Sequence, residues 1–184
     1  MRKIFEKDIN TPEYWDTHQT ATNFGLRQKK YAELAGSGDR IVELACGLSP
    51  FVAQVPSFIE HYGVDFSLKT IETVSKQYPR VRYVLADCRK TPFEKIFFDV
   101  SVAGEVIEHL RNPEALIEEM ARITKRRMIL STPHMEYDDK EHLWEFDEED
   151  LIKIFSHYGK SKCETINSEW FPGRSYIFAF CDLA

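Results

Sequence analysis

The sequence predicts an α/β fold: a mostly parallel, seven-stranded sheet with helices on both faces and a terminal antiparallel hairpin. Three observations lead there. Five short apolar runs alternate with helical stretches, the pattern of strands joined by crossover helices. These runs lack polar alternation, so both faces of each strand should be covered. Toward the end of the chain two strand-like runs are joined by Trp170-Phe-Pro-Gly-Arg174, a turn rather than a crossover.

In chain order, the first third reads as helical. Strands are expected over residues 40–45, 62–65, 81–85, 98–103 and 127–131, each rich in Ile, Val, Leu or Phe. Ser67 or its neighbour opens a helix that runs toward Lys76. Roughly a dozen residues, Pro92 among them, separate the third and fourth strands, too few for a full helix. Asn112-Pro113 opens another helix, with Asn as cap and Leu116, Met120 and Ile123 on one face. Asp147-Glu-Glu-Asp starts a third, carrying Leu151, Ile154 and Phe155 and closed by Gly159. Residues 161–168 and 174–182 complete the hairpin.

A length of 184 residues, 43% apolar and 29% charged, fits one domain spanning 1–184. Residues 1–36 are expected to form a helical lid segment and 37–184 the core. The net charge of −6 opposes a nucleic-acid platform, although a local basic patch survives on some acidic proteins. Lys125-Arg126-Arg127 reads as the positive end of a helix rather than a phosphate site. Cys46, Cys88, Cys163 and Cys181 show no metal-like spacing and read as reduced thiols. The N-terminal residues have no apolar core of a signal peptide, and no apolar run reaches the ~20 residues of a membrane span. A soluble, cytoplasmic protein with no membrane partner is expected.

The chemistry gathers at strand ends. The first strand runs into Glu43-Leu-Ala45-Cys-Gly47, a tight turn where backbone can approach a nucleotide-like ligand, and a helix N-terminus is expected to follow it. The second strand ends in Gly63-Val-Asp65-Phe66, an acid placed to accept hydrogen bonds from both hydroxyls of an adenosine ribose. The third ends in Ala86-Asp87-Cys88, where a carboxylate can accept from an adenine amino group and the next N–H can donate to the ring. Singly, each acid reads equally well as a helix cap. After the fourth strand, Gly104-Glu105-Val-Ile-Glu108-His109 spaces two carboxylates and an imidazole to share one face of a helical turn. Ser131-Thr-Pro133 and His142-Leu-Trp-Glu-Phe146 follow. Tyr14-Trp15, Trp144, Phe146 and Trp170-Phe171 would wall a dry pocket or pack the core, while His18, His61 and His157 read as structural.

Together these motifs resemble, over nearly the whole chain, the class I S-adenosylmethionine-dependent methyltransferases with their Rossmann-like sheet. The resemblance implies that Gly47, with Ala45 and Gly104 nearby, lies under the methionine part of the cofactor. It implies that Asp65 and Phe66 hold the ribose side and that Asp87 and Cys88 hold the adenine. Glu43 would support the turn and, through water, the ammonium. Arg27 would meet the cofactor's carboxylate, and Glu105 borders the same site. Ala45 and Ser49 stand where the family usually has glycine.

The ExxEH and HxxEF runs are similar to those of two branches, the ubiquinone-pathway O-methyltransferases and the small-RNA terminal 2′-O-methyltransferases. By that likeness Glu105, Glu108, His109 and His142 would bind a divalent metal, with Glu108, His109 and His142 as the catalytic set. His109 as a metal-free base, or as a structural residue, stays open at this point. The implied function is O-methylation of a small-molecule or sugar hydroxyl; an RNA terminus or an inactive cofactor-binding regulatory subunit are the alternatives. A nicotinamide dehydrogenase is disfavoured, because G-x-G-x-x-G is absent at residues 47–52. The expected partner is a small-molecule acceptor, and a homodimer is compatible with the sequence.

Overall fold

A computed structural model describes residues 2–3, 11, 25–48, 50–134, 141–168 and 173–184. Its elements are β1 (Arg2–Lys3), α1 (Gly25–Ala35), β2 (Gly38–Leu44), a 3₁₀ turn (Phe51–Gln54), β3 (Phe58–Asp65), α2 (Leu68–Gln77), β4 (Arg82–Leu85) and β5 (Phe98–Gly104). A second 3₁₀ turn (Ile107–His109), α3 (Pro113–Ile123), β6 (Thr124–His134), β7 (Trp144–Glu145), α4 (Glu148–Phe155), β8 (Gly159–Asn167) and β9 (Ser175–Leu183) follow.

Seven strands form one sheet in the order β4-β3-β2-β5-β6-β9-β8. Pairing is parallel from β4 to β6, and β9 runs antiparallel to both of its neighbours. All seven expected strands are present, several of them longer than the apolar runs alone. The chain winds outward from β2 in both directions, so the carboxyl ends of β2 and β5 flank a crevice, where open α/β sheets hold their ligands. One pairing was not foreseen. β1 forms a short antiparallel ladder with β7, so the first third is not uniformly helical.

Local chemistry explains the helix starts. Ser67 caps α2 by accepting from Thr70 N at 3.1 Å. Asn112 caps α3 by accepting from Ala115 N, with Pro113 at the first position, where its missing N–H costs nothing. Asp147 and Asp150 form a reciprocal capping box on α4.

Three expectations need correction. Only a four-residue 3₁₀ turn follows Gly47, not a helix, since Pro50 and Pro56 bracket that short connection. Gly159 does not terminate α4, which ends at Phe155; it opens β8, where the carbonyl of Asp182 leaves no room for a Cβ. Lys125-Arg126-Arg127 lies inside β6 rather than at the end of a helix. Its arginines reach across instead. Arg126 Nη2 donates to the carbonyls of Ala35 and Ser37, and Arg127 Nη1 donates to Leu34, so the two side chains satisfy the open carbonyls at the C-terminus of α1.

The sheet is covered on both faces. Leu116, Met120 and Ile123 of α3, with Leu151 and Phe155 of α4, build one buried cluster; Tyr31 and Leu34 of α1, with Phe51, Val55 and Phe58, build the other. Thus α1, which lies within the expected lid segment, is packed on the sheet. Tyr31 meets Phe51 and Phe178 at ring centroid distances of 5.1 and 5.0 Å. The four cysteines are free thiols, and no described helix is long and apolar enough to cross a membrane.

Gly104 closes β5 directly beneath the Tyr31 hydroxyl, and a Cβ there would overlap Oη and lie 3.1 Å from Cζ. Gly104→Ala should therefore destabilise the fold by about 2 kcal/mol, within the range for overpacking. Tyr31→Phe, which removes the overlapping oxygen, should recover part of the loss. Urea unfolding of the single and double variants measures both effects, and strictly additive losses would show that the two sites do not touch.

Candidate active site

The cofactor side of the crevice is built on the turn after β2. Ala45 and Gly47 both take the left-handed conformation, with φ of 56° and 55°. Gly47 N donates to Asp65 Oδ2 at 3.0 Å, and Ser67 N donates to Oδ1 at 2.9 Å. One buried carboxylate thus ties the ends of β2 and β3 together. The helix cap is Ser67 rather than Asp65, which stands at the end of β3 beside the crevice. A Cβ placed on Gly47 meets no atom within 4 Å, so the turn presents bare backbone to open space. Beneath it, Gly63 must lack a side chain, because a Cβ would sit 2.8 Å from the Tyr83 ring and 3.1 Å from Cys46 Sγ.

Glu43 lies under the same turn and accepts from Val52 N at 3.1 Å. Burial pushes its carboxyl up to about 8, the amides of Val52 and Phe51 work the other way, and Asp65 adds to the rise. Farther along the crevice, Asp87 accepts from Arg89 N at 2.8 Å and pairs with the Arg89 guanidinium at 2.7 Å. Partial burial works to raise the Asp87 carboxyl, but the Arg89 contacts outweigh it and hold it below the ordinary value. Cys88 is buried, Phe66 is partly exposed, and Ser49 lies outside the described residues.

The acceptor side is built on the turn after β5. Glu105 has φ of 54°, and this left-handed step breaks the helical phase on which the shared face of Glu105, Glu108 and His109 depended. Glu105 instead turns toward α1. Its Oε2 lies 3.1 Å from Arg27 Nη1, and its Oε1 accepts from Ser131 Oγ at 2.7 Å. Arg27, which the resemblance assigned to the cofactor's carboxylate, is engaged by Glu105 and also stacks 4.5 Å over Tyr176.

Glu108, His109 and His142 do converge. One ligand-type atom from each lies within 4.8 Å of the others, and all three residues are buried. Glu105 is not part of this group, which corrects the expected four-residue set to three. His109 Nδ1 donates to the Glu141 carbonyl at 2.9 Å, and its Nε2 lies 3.9 Å from Glu108 Oε1. The two imidazoles meet edge to face at 4.9 Å. Glu108 Oε2 accepts from Thr132 Oγ1 at 3.1 Å, whereas its Oε1 is buried with no hydrogen-bond partner. Burial, and then the nearby Glu105, push the Glu108 carboxyl well above its ordinary value.

Chain connections brace the cluster. Leu143 N donates to the Glu108 carbonyl at 2.7 Å, and Trp144 Nε1 donates to the Leu110 carbonyl at 2.7 Å. Phe146 is buried in the core, while Tyr14, Trp15, His18, Trp170 and Phe171 lie outside the described residues. His61 Nε2 donates to the Val55 carbonyl, and His157 Nδ1 donates to the Ile154 carbonyl near the end of α4. Sequence reasoning missed Tyr31 and Thr132. Tyr31 stands four residues after Arg27 on α1, a spacing that could have drawn attention to it.

A sheet of this order with its crevice at the β2–β5 switch point defines a Rossmann-like nucleotide-binding fold. Residues 42–131 match the methyltransferase domain family. The chain is 27% identical over 125 residues to an uncharacterized methyltransferase of Schizosaccharomyces pombe, covering 60% of this chain and 43% of that one. It thus spans less than half the length of that curated relative. Among solved structures, the N-methyltransferase NodS of Bradyrhizobium japonicum, in complex with S-adenosyl-L-homocysteine, superposes with a TM-score of 0.74 at 13% identity, covering 96% of this chain and 94% of that one. The geranyl diphosphate C-methyltransferase of Streptomyces coelicolor, in complex with Mg²⁺, a substrate analogue and S-adenosyl-L-homocysteine, gives 0.72 at 14% identity, covering 87% and 76%. Over residues 42–131 the chain is thus similar to methyltransferase domains, and it shares its fold with methyltransferases crystallised with S-adenosyl-L-homocysteine.

Glu43 provides a pH signature. With its folded value near 8 and an ordinary value of 4.5, the native state holds a proton between those pH values that the unfolded chain has released. Stability should therefore fall as pH rises through that window and level off above it, each unit being worth at most about 1.4 kcal/mol. Glu43→Gln should flatten this part of the stability–pH profile, as read by urea midpoints at a series of pH values. An unchanged slope would place the titration elsewhere.

Proposed function

We propose that this protein transfers a methyl group from S-adenosylmethionine to a hydroxyl of a small molecule, with a divalent cation held by Glu108, His109 and His142. The observation that carries this reading is the buried Oε1 of Glu108, which has no hydrogen-bond partner, in a cluster with His109 and His142 whose ligand-type atoms lie within 4.8 Å of one another. A buried carboxylate without a counter-charge is costly, and a cation or a captured proton relieves it. Two imidazoles and one carboxylate suit Mn²⁺ or a similar transition-metal dication and leave coordination positions open to acceptor oxygens. The His109 Nδ1–H donated to Glu141 supports the fit, since such a bond fixes the ring so that Nε2 points at the ion.

On the cofactor side, the Gly47 turn would admit the methionine part, Asp65 would accept from the ribose and Asp87 with Cys88 would border the adenine. S-adenosylmethionine supplies an electrophilic methyl on a sulfonium. A divalent cation supplies a Lewis acid that lowers the pKa of a bound hydroxyl. Thr132 and the Glu141 carbonyl hold Glu108 and His109 in register, and the buried walls Ile107, Leu110 and Phe146 keep water from the reacting groups.

The choice of a small molecule over an RNA terminus rests on where the cations are spent. Arg126 and Arg127 are committed to α1 and Asp182, Lys125 lies near Asp99, and the net charge is −6. Oxygen is favoured over nitrogen or carbon because hard cations prefer oxygen ligands.

Glu108→Gln and His142→Ala should each lower kcat at least a hundredfold toward hydroxyl acceptors while changing S-adenosylhomocysteine affinity less than threefold. Activity should disappear with chelator and return with Mn²⁺ or a similar transition-metal dication. Turnover indifferent to both substitutions and to chelator would sink the cation reading. A companion calorimetric titration with Asp65→Ala should show S-adenosylhomocysteine binding weakened by about 2–3 kcal/mol, through loss of a charged acceptor. An unchanged dissociation constant would put the ribose elsewhere.

A further inference from the structure

Glu105 sits three residues before Glu108 on the same turn, yet its carboxylate is turned away from the cluster. Both oxygens are engaged: Oε2 by Arg27 Nη1 at 3.1 Å and Oε1 by Ser131 Oγ at 2.7 Å. Ser131 Oγ is in turn 2.6 Å from the buried Tyr31 Oη. Arg27 and Tyr31 are one turn apart on α1, so a single helix supplies both ends of the clamp. The left-handed backbone at Glu105, with φ of 54°, turns its side chain toward α1. Its charge is nevertheless felt at Glu108.

We propose that Arg27 is a positioning residue that sets the number of ligands at the cation site: while paired with Glu105 it limits the site to Glu108, His109 and His142, and when the pair is broken Glu105 joins them. This inference rests on the cation-binding reading above. Its physical basis is the cost of a partly buried carboxylate that loses its counter-charge beside a buried one. Without Arg27, Glu105 would be left uncompensated beside Glu108, whose Oε1 already lacks a hydrogen-bond partner. A divalent cation can serve both carboxylates at once. The clamp thereby holds the site at lower negative charge and keeps a coordination position for the acceptor.

The test is calorimetric titration of the full chain with Mn²⁺ in the absence of cofactor, so no catalytic turnover is involved. Arg27→Gln should bind Mn²⁺ at least tenfold tighter than the parent protein. Arg27→Lys, which keeps a counter-charge, should stay near the parent value. Glu105→Gln alone should change Mn²⁺ affinity less than threefold, because Glu105 is not a ligand while the clamp is closed. Added to Arg27→Gln, the same substitution should abolish the gain. Equal or weaker binding by Arg27→Gln would overturn the proposal. So would a tenfold loss in Glu105→Gln alone, which remains decisive if Arg27→Gln does not fold. A failure of the underlying reading looks different: neither the parent nor Arg27→Gln would bind Mn²⁺ in a manner that depends on Glu108 and His142, and the proposal would fall with it.

Discussion

Ser131 Oγ stands between Tyr31 Oη and Glu105 Oε1, at 2.6 and 2.7 Å, and this buried chain of hydrogen bonds joins three parts of the molecule distant in sequence. Tyr31 belongs to α1, Ser131 to β6 and Glu105 to the turn leaving β5. The arrangement is tight because Gly104, paired with Ser131 across the β5–β6 ladder, leaves space for the tyrosine hydroxyl. The geometry of the acceptor side follows from it. With Glu105 drawn toward α1 in a left-handed conformation, the chain re-enters a 3₁₀ turn that delivers Glu108 and His109 to the His142 segment.

The position of α1 is fixed from its other end by β6. Arg126 and Arg127 donate to the carbonyls of Leu34, Ala35 and Ser37, where a helix would otherwise leave acceptors unsatisfied. Arg127 is also paired with Asp182 of β9. One strand therefore touches α1 twice, through these arginines near the start of β6 and through Ser131 farther along it. A displacement of α1 would have to break both. This explains how a short helix can govern groups at the mouth of a sheet without belonging to it.

Legibility in the sequence followed the range of the interaction involved. Asn112-Pro113 and Asp147 were readable as helix starts because each cap is satisfied within three residues. The strand runs were readable because burial on both faces leaves a compositional mark. Asp65 and the Glu108, His109 and His142 cluster were readable as motifs, though only the structure shows Asp65 spending both oxygens on backbone amides. What could not be read depended on distant partners or on one backbone angle. Tyr31 finds Ser131 a hundred residues away. Glu105 leaves the expected face through its positive φ, a conformation that a non-glycine residue rarely adopts and that spacing rules do not anticipate. Gly159 looked like a helix stop, but its reason is the close approach of Asp182 across β8 and β9.

The acids of the crevice divide by the kind of partner they have. Asp65 accepts from two amides, and Asp87 is held by Arg89 and kept below its ordinary value despite its partial burial. In Glu43, Glu105 and Glu108 burial is the largest influence and raises the carboxyl. Their compensation differs in kind: backbone N–H groups for Glu43, a guanidinium and a hydroxyl for Glu105, and for Glu108 a threonine hydroxyl on one oxygen only. Desolvated carboxylates in this condition respond strongly to a newly arrived positive charge, since little water is present to screen it. The contrast between Glu105, already matched by Arg27, and Glu108, matched on one side alone, locates that response. A cation bound in the crevice would on this argument be most stabilised at the open oxygen of Glu108, beside His109 and His142.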